Sequence, residues 1–201
     1  MNITPTPQSL HSITDTRLSL VPGGVTAARG FQAAGLYCGI RKVKKDIALI
    51  TSEVPATLAA VFTLNKVVAA PLVVDKTILA TGNGTCRATL VNSGNANACT
   101  GDRGMEDAWS MVRATAKALD ISELEVMVAS TGVIGQYLPI TNVLSGIEQL
   151  PELLSTTGSH DAAQAIMTTD TFSKEVAVEF TVAGVPVRVG GIAKGSGMIA
   201  P

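Results

Sequence analysis

The sequence predicts a mixed α/β (α+β) sandwich in which sheets are flanked by helices, and three observations carry that expectation. Hydrophobic residues make up 46% of the chain but aromatic residues only 3%, so the core must be built from Val, Ala, Leu and Ile. Between Gly104 and Leu119, residues Met105, Ala108, Val112, Ala116 and Leu119 recur at three- and four-residue intervals, while Glu106, Arg113 and Lys117 point away from that stripe. Near the end, Val176, Val178, Phe180 and Val182 alternate strictly with Glu175, Ala177, Glu179 and Thr181. Ala183-Gly184 then permits an antiparallel return through Val185 to Val189. A hairpin beside amphipathic helices argues against a clean βαβ wound sheet.

Taken in order, residues 1–24 are rich in Thr, Ser and Pro, end on Pro22-Gly23-Gly24, and predict an irregular arm. Residues 25–201 contain no linker or low-complexity segment and predict a single domain, a length that buries roughly 70% of its unfolded surface. Strands are expected at Asp46 to Ser52, Ala59 to Thr63, Arg87 to Asn92, Glu125 to Ala129, Lys174 to Val182 and Pro186 to Gly190, all rich in Val, Ile or Leu. Helices are expected at Ala70 to Ala80, Gly104 to Leu119, Ile140 to Leu150 and His160 to Thr168.

Composition excludes several classes. Fifteen basic and sixteen acidic residues leave a net charge of −1, and no Lys/Arg stripe interleaves with aromatics, so no nucleic-acid partner is expected. The basic run Arg41-Lys42-Val43-Lys44-Lys45 reads as a solvated turn. No apolar stretch reaches the ~18 residues of a membrane span, and the N-terminus shows no signal or transit pattern, so a soluble cytoplasmic protein is expected. Cys38, Cys86 and Cys99 are widely spaced, and only His11 and His160 join them, which argues against a metal site or a disulfide scaffold. Buried, inert thiols are the expectation for all three. Neither a Gly-x-Gly-x-x-Gly nor a phosphate-loop pattern occurs, and no cofactor is expected.

Four polar segments punctuate the apolar chain as site loops do. Asn92-Ser93-Gly94-Asn95-Ala96-Asn97 supplies amides that either hold a substrate or satisfy their own loop. Ser130-Thr131-Gly132 ends a strand, where backbone N–H groups and the Thr131 hydroxyl can donate to a developing oxyanion. Met167-Thr168-Thr169-Asp170-Thr171 follows a helix, and Asp170 is either a ligand for a substrate amine or a turn former. Lys194, in Ala193-Lys194-Gly195-Ser196-Gly197-Met198, is either an exposed strand-end lysine or a group that binds a substrate carboxylate or tunes a nucleophile. No Gly-x-Ser-x-Gly elbow and no His-Glu-x-x-His occurs, so a nucleophile or base must come from elsewhere if this is an enzyme.

Read together, these segments resemble the α chain of the ornithine acetyltransferase (glutamate N-acetyltransferase) family. The resemblance also includes Val25-Thr26-Ala27-Ala28-Arg29-Gly30-Phe31 and Ala60-Val61-Phe62-Thr63-Leu64-Asn65, and it runs from about Val25 to Pro201. It implies an Ntn-like architecture, a precursor that cuts itself before a threonine just beyond this chain, and a β chain whose new N-terminal threonine is the nucleophile. The threonine's own α-amino group would be its base. By the same resemblance Thr131 and Gly132 form the oxyanion hole, and Thr168 and Lys194 bind substrate. The implied reaction moves acetyl from N2-acetylornithine to glutamate by a ping-pong route in arginine biosynthesis, with acetyl-CoA a further donor in some members. A hairpin with a Gly-rich strand at the edge would leave ladder groups unpaired, so a second chain is expected to pair with it in an αβ unit that assembles as α2β2. A related self-cleaving amidohydrolase or aminopeptidase, and a stand-alone small-molecule-binding domain, are the alternatives.

Overall fold

The computed structural model describes residues 18–195. Two sheets are formed by β1 (Ser19–Leu20), β2 (Phe31–Leu36), β3 (Ile47–Thr57), β4 (Thr85–Asn95), β5 (Val126–Val133), β6 (Lys174–Val182) and β7 (Val185–Ala193). The helices are α1 (Ala70–Thr81), α2 (Gly101–Leu119), α3 (Ile140–Leu153) and α4 (Ser159–Ala165). The mixed α+β expectation holds. One sheet has the order β2-β3-β4-β5 and the other β1-β6-β7. Only β4 and β5 run parallel, because α2 carries the chain back between them, and every other pairing is antiparallel.

Alternation along the four-stranded sheet gives it two apolar faces. Ala34, Leu36, Ile47, Leu49, Leu90, Val126 and Val128 pack with Val74, Ile78, Met111, Val112, Val143, Ile147 and Leu150 from α1, α2 and α3. On the opposite face, Ala33 and Ala48 meet Ala162, Ala165 and Ile166 at α4. The predicted stripe of α2 is in the core, with Ala108 and Val112 fully buried and Met105 and Leu119 at its margin. At the β5 edge, the Val128 N–H donates to Asp75 Oδ1 of α1 at 2.9 Å. Burial outweighs that hydrogen bond and pushes the Asp75 carboxyl up to about 6.

The three-stranded sheet is arranged differently. Ala183 (φ +49°) and Gly184 (φ +81°) make the expected tight return from β6 to β7. Opposed residues share a face, so Glu175/Ile192, Ala177/Gly190 and Glu179/Arg188 lie on one side. This side meets the body of the chain: Ala177 is buried, and Glu175 bonds Ser159 of α4. Val176, Val178/Val189, Phe180/Val187 and Val182/Val185 lie on the other side, with Leu20 of β1 opposite Val178. Its apolar face points outward.

Several expectations need correction. Ala59 to Thr63 is not a strand but lies in a loop with Val61 and Leu64 fully exposed, because no strand among the described residues lies alongside to pair with it. β2 occupies Phe31–Leu36, where no strand was expected, and the arm is not wholly irregular: Ser19–Leu20 pair with β6, and Gly24–Ala27 form a 3-10 turn. The rest of the arm, residues 1–17, and the end of the terminal motif, residues 196–201, lie outside the described residues. The last predicted helix begins at Ser159 and stops at Ala165, leaving Thr168 and Asp170 in the turn that follows.

Candidate active site

Asp46 begins the site from below. Its fully buried carboxylate accepts the N–H groups of Cys38 at Oδ1 (2.7 Å) and of Gly39, Ile40 and Arg41 at Oδ2 (3.2, 2.8 and 2.9 Å). Four convergent donors fix the basic loop. Arg41 is therefore not the solvated residue expected from the charge run. Its guanidinium donates to the Met167 carbonyl at 2.9 Å and the Thr168 carbonyl at 3.4 Å. Only Lys42, Val43 and Lys44 of that run stand in solvent, and Lys45 pairs with Asp161.

The strand ends of β4 and β5 come next. Ser93 donates its hydroxyl to the Ala165 carbonyl at 2.6 Å, tying β4 to the end of α4. Gly94 and Gly132 then lie side by side across the parallel ladder. Gly132 has φ +139°, and a Cβ there would overlap the Gly94 carbonyl carbon, so only glycine fits. The half-buried Thr131 is thereby held at the mouth of the β4/β5 junction.

All four predicted site residues, and the segments that hold them, meet here. Lys194 Nζ donates to Thr131 Oγ1 at 2.8 Å. The next residue, Gly195, donates its N–H to Asp170 Oδ1 at 2.8 Å, and the Thr168 N–H donates to Asp170 Oδ2 at 3.2 Å. Lys194 is exposed within this chain, yet its ammonium is anchored. Because that ammonium fills a lone pair of Thr131 Oγ1, the threonine's own hydrogen is free to donate to a third group. A positive neighbour strengthens such a donor.

Other candidates are absorbed elsewhere. The asparagines are bonded within the protein, tying their loop to the β5–α3 connection and to α2. Asn92 donates to the Asn95 carbonyl (2.9 Å), Asn95 to those of Gln136 and Tyr137 (3.0 and 3.1 Å), and Asn97 to that of Gly104 (2.8 Å). Burial pushes the Cys38 thiol up to about 12, helped by the nearby Asp46 charge, and burial also raises Cys86. None is as buried as expected: Cys38 and Cys86 are half-buried, and Cys99 is exposed. His160, also exposed, sits 2.7 Å from Glu175 Oε1 beside a cleft of about 750 Å3. The charged groups lining this cleft already bond protein partners, Glu175 with Ser159 and Arg188 with Glu179, so it offers no unmatched charge to a ligand. Among the described residues, no cluster of three or more His, Cys, Asp or Glu is placed to hold a metal ion, and no helix is long and apolar enough to cross a membrane.

The ArgJ family profile matches residues 32–201. The chain belongs to the ArgJ family. It is 50% identical over 184 residues to the arginine biosynthesis bifunctional protein ArgJ of Caldanaerobacter subterraneus subsp. tengcongensis, covering 92% of this chain and 45% of that protein. The chloroplastic ArgJ of Zea mays is 48% identical over 185 residues, covering 90% and 40%. The crystal structure of ArgJ from Bacillus halodurans superposes with a TM-score of 0.87 at 45% identity, covering 94% of this chain and 98% of that one. The crystal structure of ornithine acetyltransferase from Mycobacterium tuberculosis, complexed with ornithine, superposes with a TM-score of 0.84 at 41% identity, covering 92% and 98%. The chain thus spans less than half the length of these curated ArgJ relatives but nearly all of each solved chain.

Proposed function

We propose that this ArgJ chain is the α subunit of a self-processed glutamate N-acetyltransferase whose nucleophilic threonine begins a second, β chain. The observation that carries this reading is the Lys194–Thr131 contact at 2.8 Å, which joins the terminal segment to the β5 turn. It is supported by the ornithine-bound structural relative and by solved chains that match this one in length while these curated relatives are more than twice as long. In the first half-reaction the threonine Oγ attacks the acetyl carbonyl of N2-acetylornithine and its proton passes to the α-amino group. The C–N bond then breaks, and ornithine leaves with that proton. In the second, the glutamate amine attacks the acyl ester, the C–O bond breaks, and the threonine hydroxyl is restored as N-acetylglutamate departs.

Each tetrahedral intermediate carries an oxyanion. The Thr131 hydroxyl, polarised by Lys194, and the backbone N–H of Gly132 are the donors assigned to it. Thr168 and the Lys194 ammonium then line the substrate. The outward valine face and the free edge of β7 are the surfaces assigned to the β chain, with a groove of about 460 Å3 between Phe172, Lys174, Val176 and Ile192 opening there. Pairing of two such units gives α2β2, in the cytoplasm. Acetyl-CoA is an additional acetyl donor to be tried in the same assay.

The test is acetyl transfer from N2-acetylornithine to glutamate by the full-length protein, with intact-mass analysis of its chains. Ornithine and N-acetylglutamate should form together, and a second chain should begin with threonine. Thr131→Ala should lower turnover or self-cleavage tens- to hundreds-fold (~2–3 kcal/mol), with binding less affected. Acetate released at the same rate without glutamate would replace the transferase reading with an amidohydrolase. A single uncut and inactive polypeptide would remove both.

A further inference from the structure

We propose that Asp170 is a positioning residue of this site, holding Thr168 and the Lys194–Gly195 segment in fixed relation through one buried carboxylate. The inference rests on the acetyl-transfer reading and deepens it. Asp170 Oδ1 accepts from Gly195 N–H (2.8 Å) and Lys174 Nζ (2.7 Å), and Oδ2 accepts from Thr168 N–H (3.2 Å). Its side chain is 1% exposed, against 34% for Lys174. The two backbone donors come from separate segments, Thr168 two residues before Asp170 and Gly195 25 residues after it. One belongs to Thr168, and the other follows directly on Lys194, whose ammonium reaches Thr131.

An ordinary surface ion pair with Lys174 would occupy one oxygen and leave the backbone elsewhere. Here only an ionised carboxylate has enough acceptor sites for three donors and no hydrogen of its own in the way. The Lys174 hydrogen bond, with those from Gly195 and Thr168, holds the carboxyl well below the usual carboxylate range despite burial. Arg41 acts on the same turn from its other side through the Met167 and Thr168 carbonyls, so the turn is held by a cation and an anion at once. Shifting Asp170 therefore shifts Thr168 and Lys194 together, and a displacement of about 1 Å at a reacting centre costs on the order of a hundredfold in rate.

Asp170→Asn in the full-length protein keeps the side chain's size but leaves one acceptor oxygen. Its kcat/KM for N2-acetylornithine should fall by roughly 10- to 100-fold. Hydrogen exchange of the Gly195 amide should quicken by about tenfold or more, while Leu90 in β4 keeps its protection. Lys174→Met removes the ion pair alone, and it should leave Gly195 protected and kcat/KM within about fivefold of the parent. Overturning results are a Gly195 amide unprotected in the wild type, Asp170→Asn with unchanged exchange and rate, or Lys174→Met as damaging as Asp170→Asn. Wild-type exchange and Lys174→Met decide the matter if Asp170→Asn does not fold. Absence of acetyl transfer by the wild type would remove only the transferase reading, because exchange at Gly195 judges Asp170 without any turnover.

Discussion

Leu49, Leu90, Val126 and Val128 of the four-stranded sheet are each no more than 1% exposed, whereas Val176, Val185 and Val189 of the three-stranded sheet are 57%, 61% and 55% exposed. Residue type does not separate the two sets, since both are β-branched or aliphatic side chains in regular strands. Coverage separates them. Helices α1, α2 and α3 close one face of the larger sheet and α4 the other, so its alternation is satisfied twice. The smaller sheet turns Glu175, Ala177 and Glu179 toward α4 and the 3-10 turn and leaves its valine face without cover among the described residues. One sheet is a finished core, and the other keeps one apolar face in solvent among the described residues.

The comparison breaks most readily at the valine face. Val176→Asp with Val189→Asp should leave the unfolding free energy of the chain within about 0.5 kcal/mol of the parent, as at other exposed positions. If the proposed β chain covers this face, the same pair of charges should weaken its association by roughly 3–5 kcal/mol, a factor of hundreds to thousands, because each carboxylate would be buried without a partner. Sedimentation of the two chains together reads this out. Retained pairing would show that the valine face is covered by something other than that chain.

Leu90→Ala makes the opposite probe. Leu90 is fully buried at the centre of β4, so truncation removes its transfer free energy and leaves a cavity, and a loss of about 3–4 kcal/mol is expected in urea unfolding. A loss under about 1 kcal/mol would mean that the helices over this sheet collapse onto the void and that the core is looser than its packing indicates.

How far the sequence reveals this architecture depends on what each segment needs from its neighbours. The α2 stripe and the β6–β7 hairpin are legible because period and turn chemistry are local. β2 is not, since Phe31-Gln32-Ala33-Ala34-Gly35-Leu36 lacks the alternation and branched residues that mark a strand. Its small residues answer to tertiary contact: a Cβ at Gly35 would overlap the Asp161 carbonyl of α4. Ala60-Val61-Phe62 misleads for the reverse reason, having strand composition with no strand beside it among the described residues. At the site, the segments holding Thr131, Gly132, Thr168 and Lys194 stand out as polar breaks in an apolar chain, but their local pattern leaves a purely structural reading open, and only the resemblance assigns their roles. Arg41 was missed because a basic run looks solvated until the fold brings two carbonyls to its guanidinium. The four N–H groups around Asp46 gave no signal at all, since backbone donors are invisible in sequence.

The smallest effect sharpens the comparison with electrostatics. Asp75, at the edge of the finished sheet, and Asp170, at the open site, are both buried aspartates shifted in opposite directions. Asp170 has three donors, so its contribution to stability is present above the ordinary carboxylate range and is lost as pH falls through it. Asp75 has one backbone donor and is dominated by burial, so its folded-state value of about 6 exceeds the unfolded ~3.9, and the folded chain binds that proton more tightly. Its contribution is therefore greatest below pH ~4, declines as pH rises toward 6, and is flat above, a change of at most about 3 kcal/mol. Asparagine at this position still accepts the Val128 N–H and carries no charge to desolvate. Asp75→Asn should accordingly be more stable than the parent by about 1–3 kcal/mol at pH 7.5 and nearly equal to it at pH 4. Urea midpoints at the two pH values measure the difference directly. An advantage of the same size at both would mean that the Asp75 carboxylate keeps its water in the folded state, and that the edge of β5 is less closed than the core beside it.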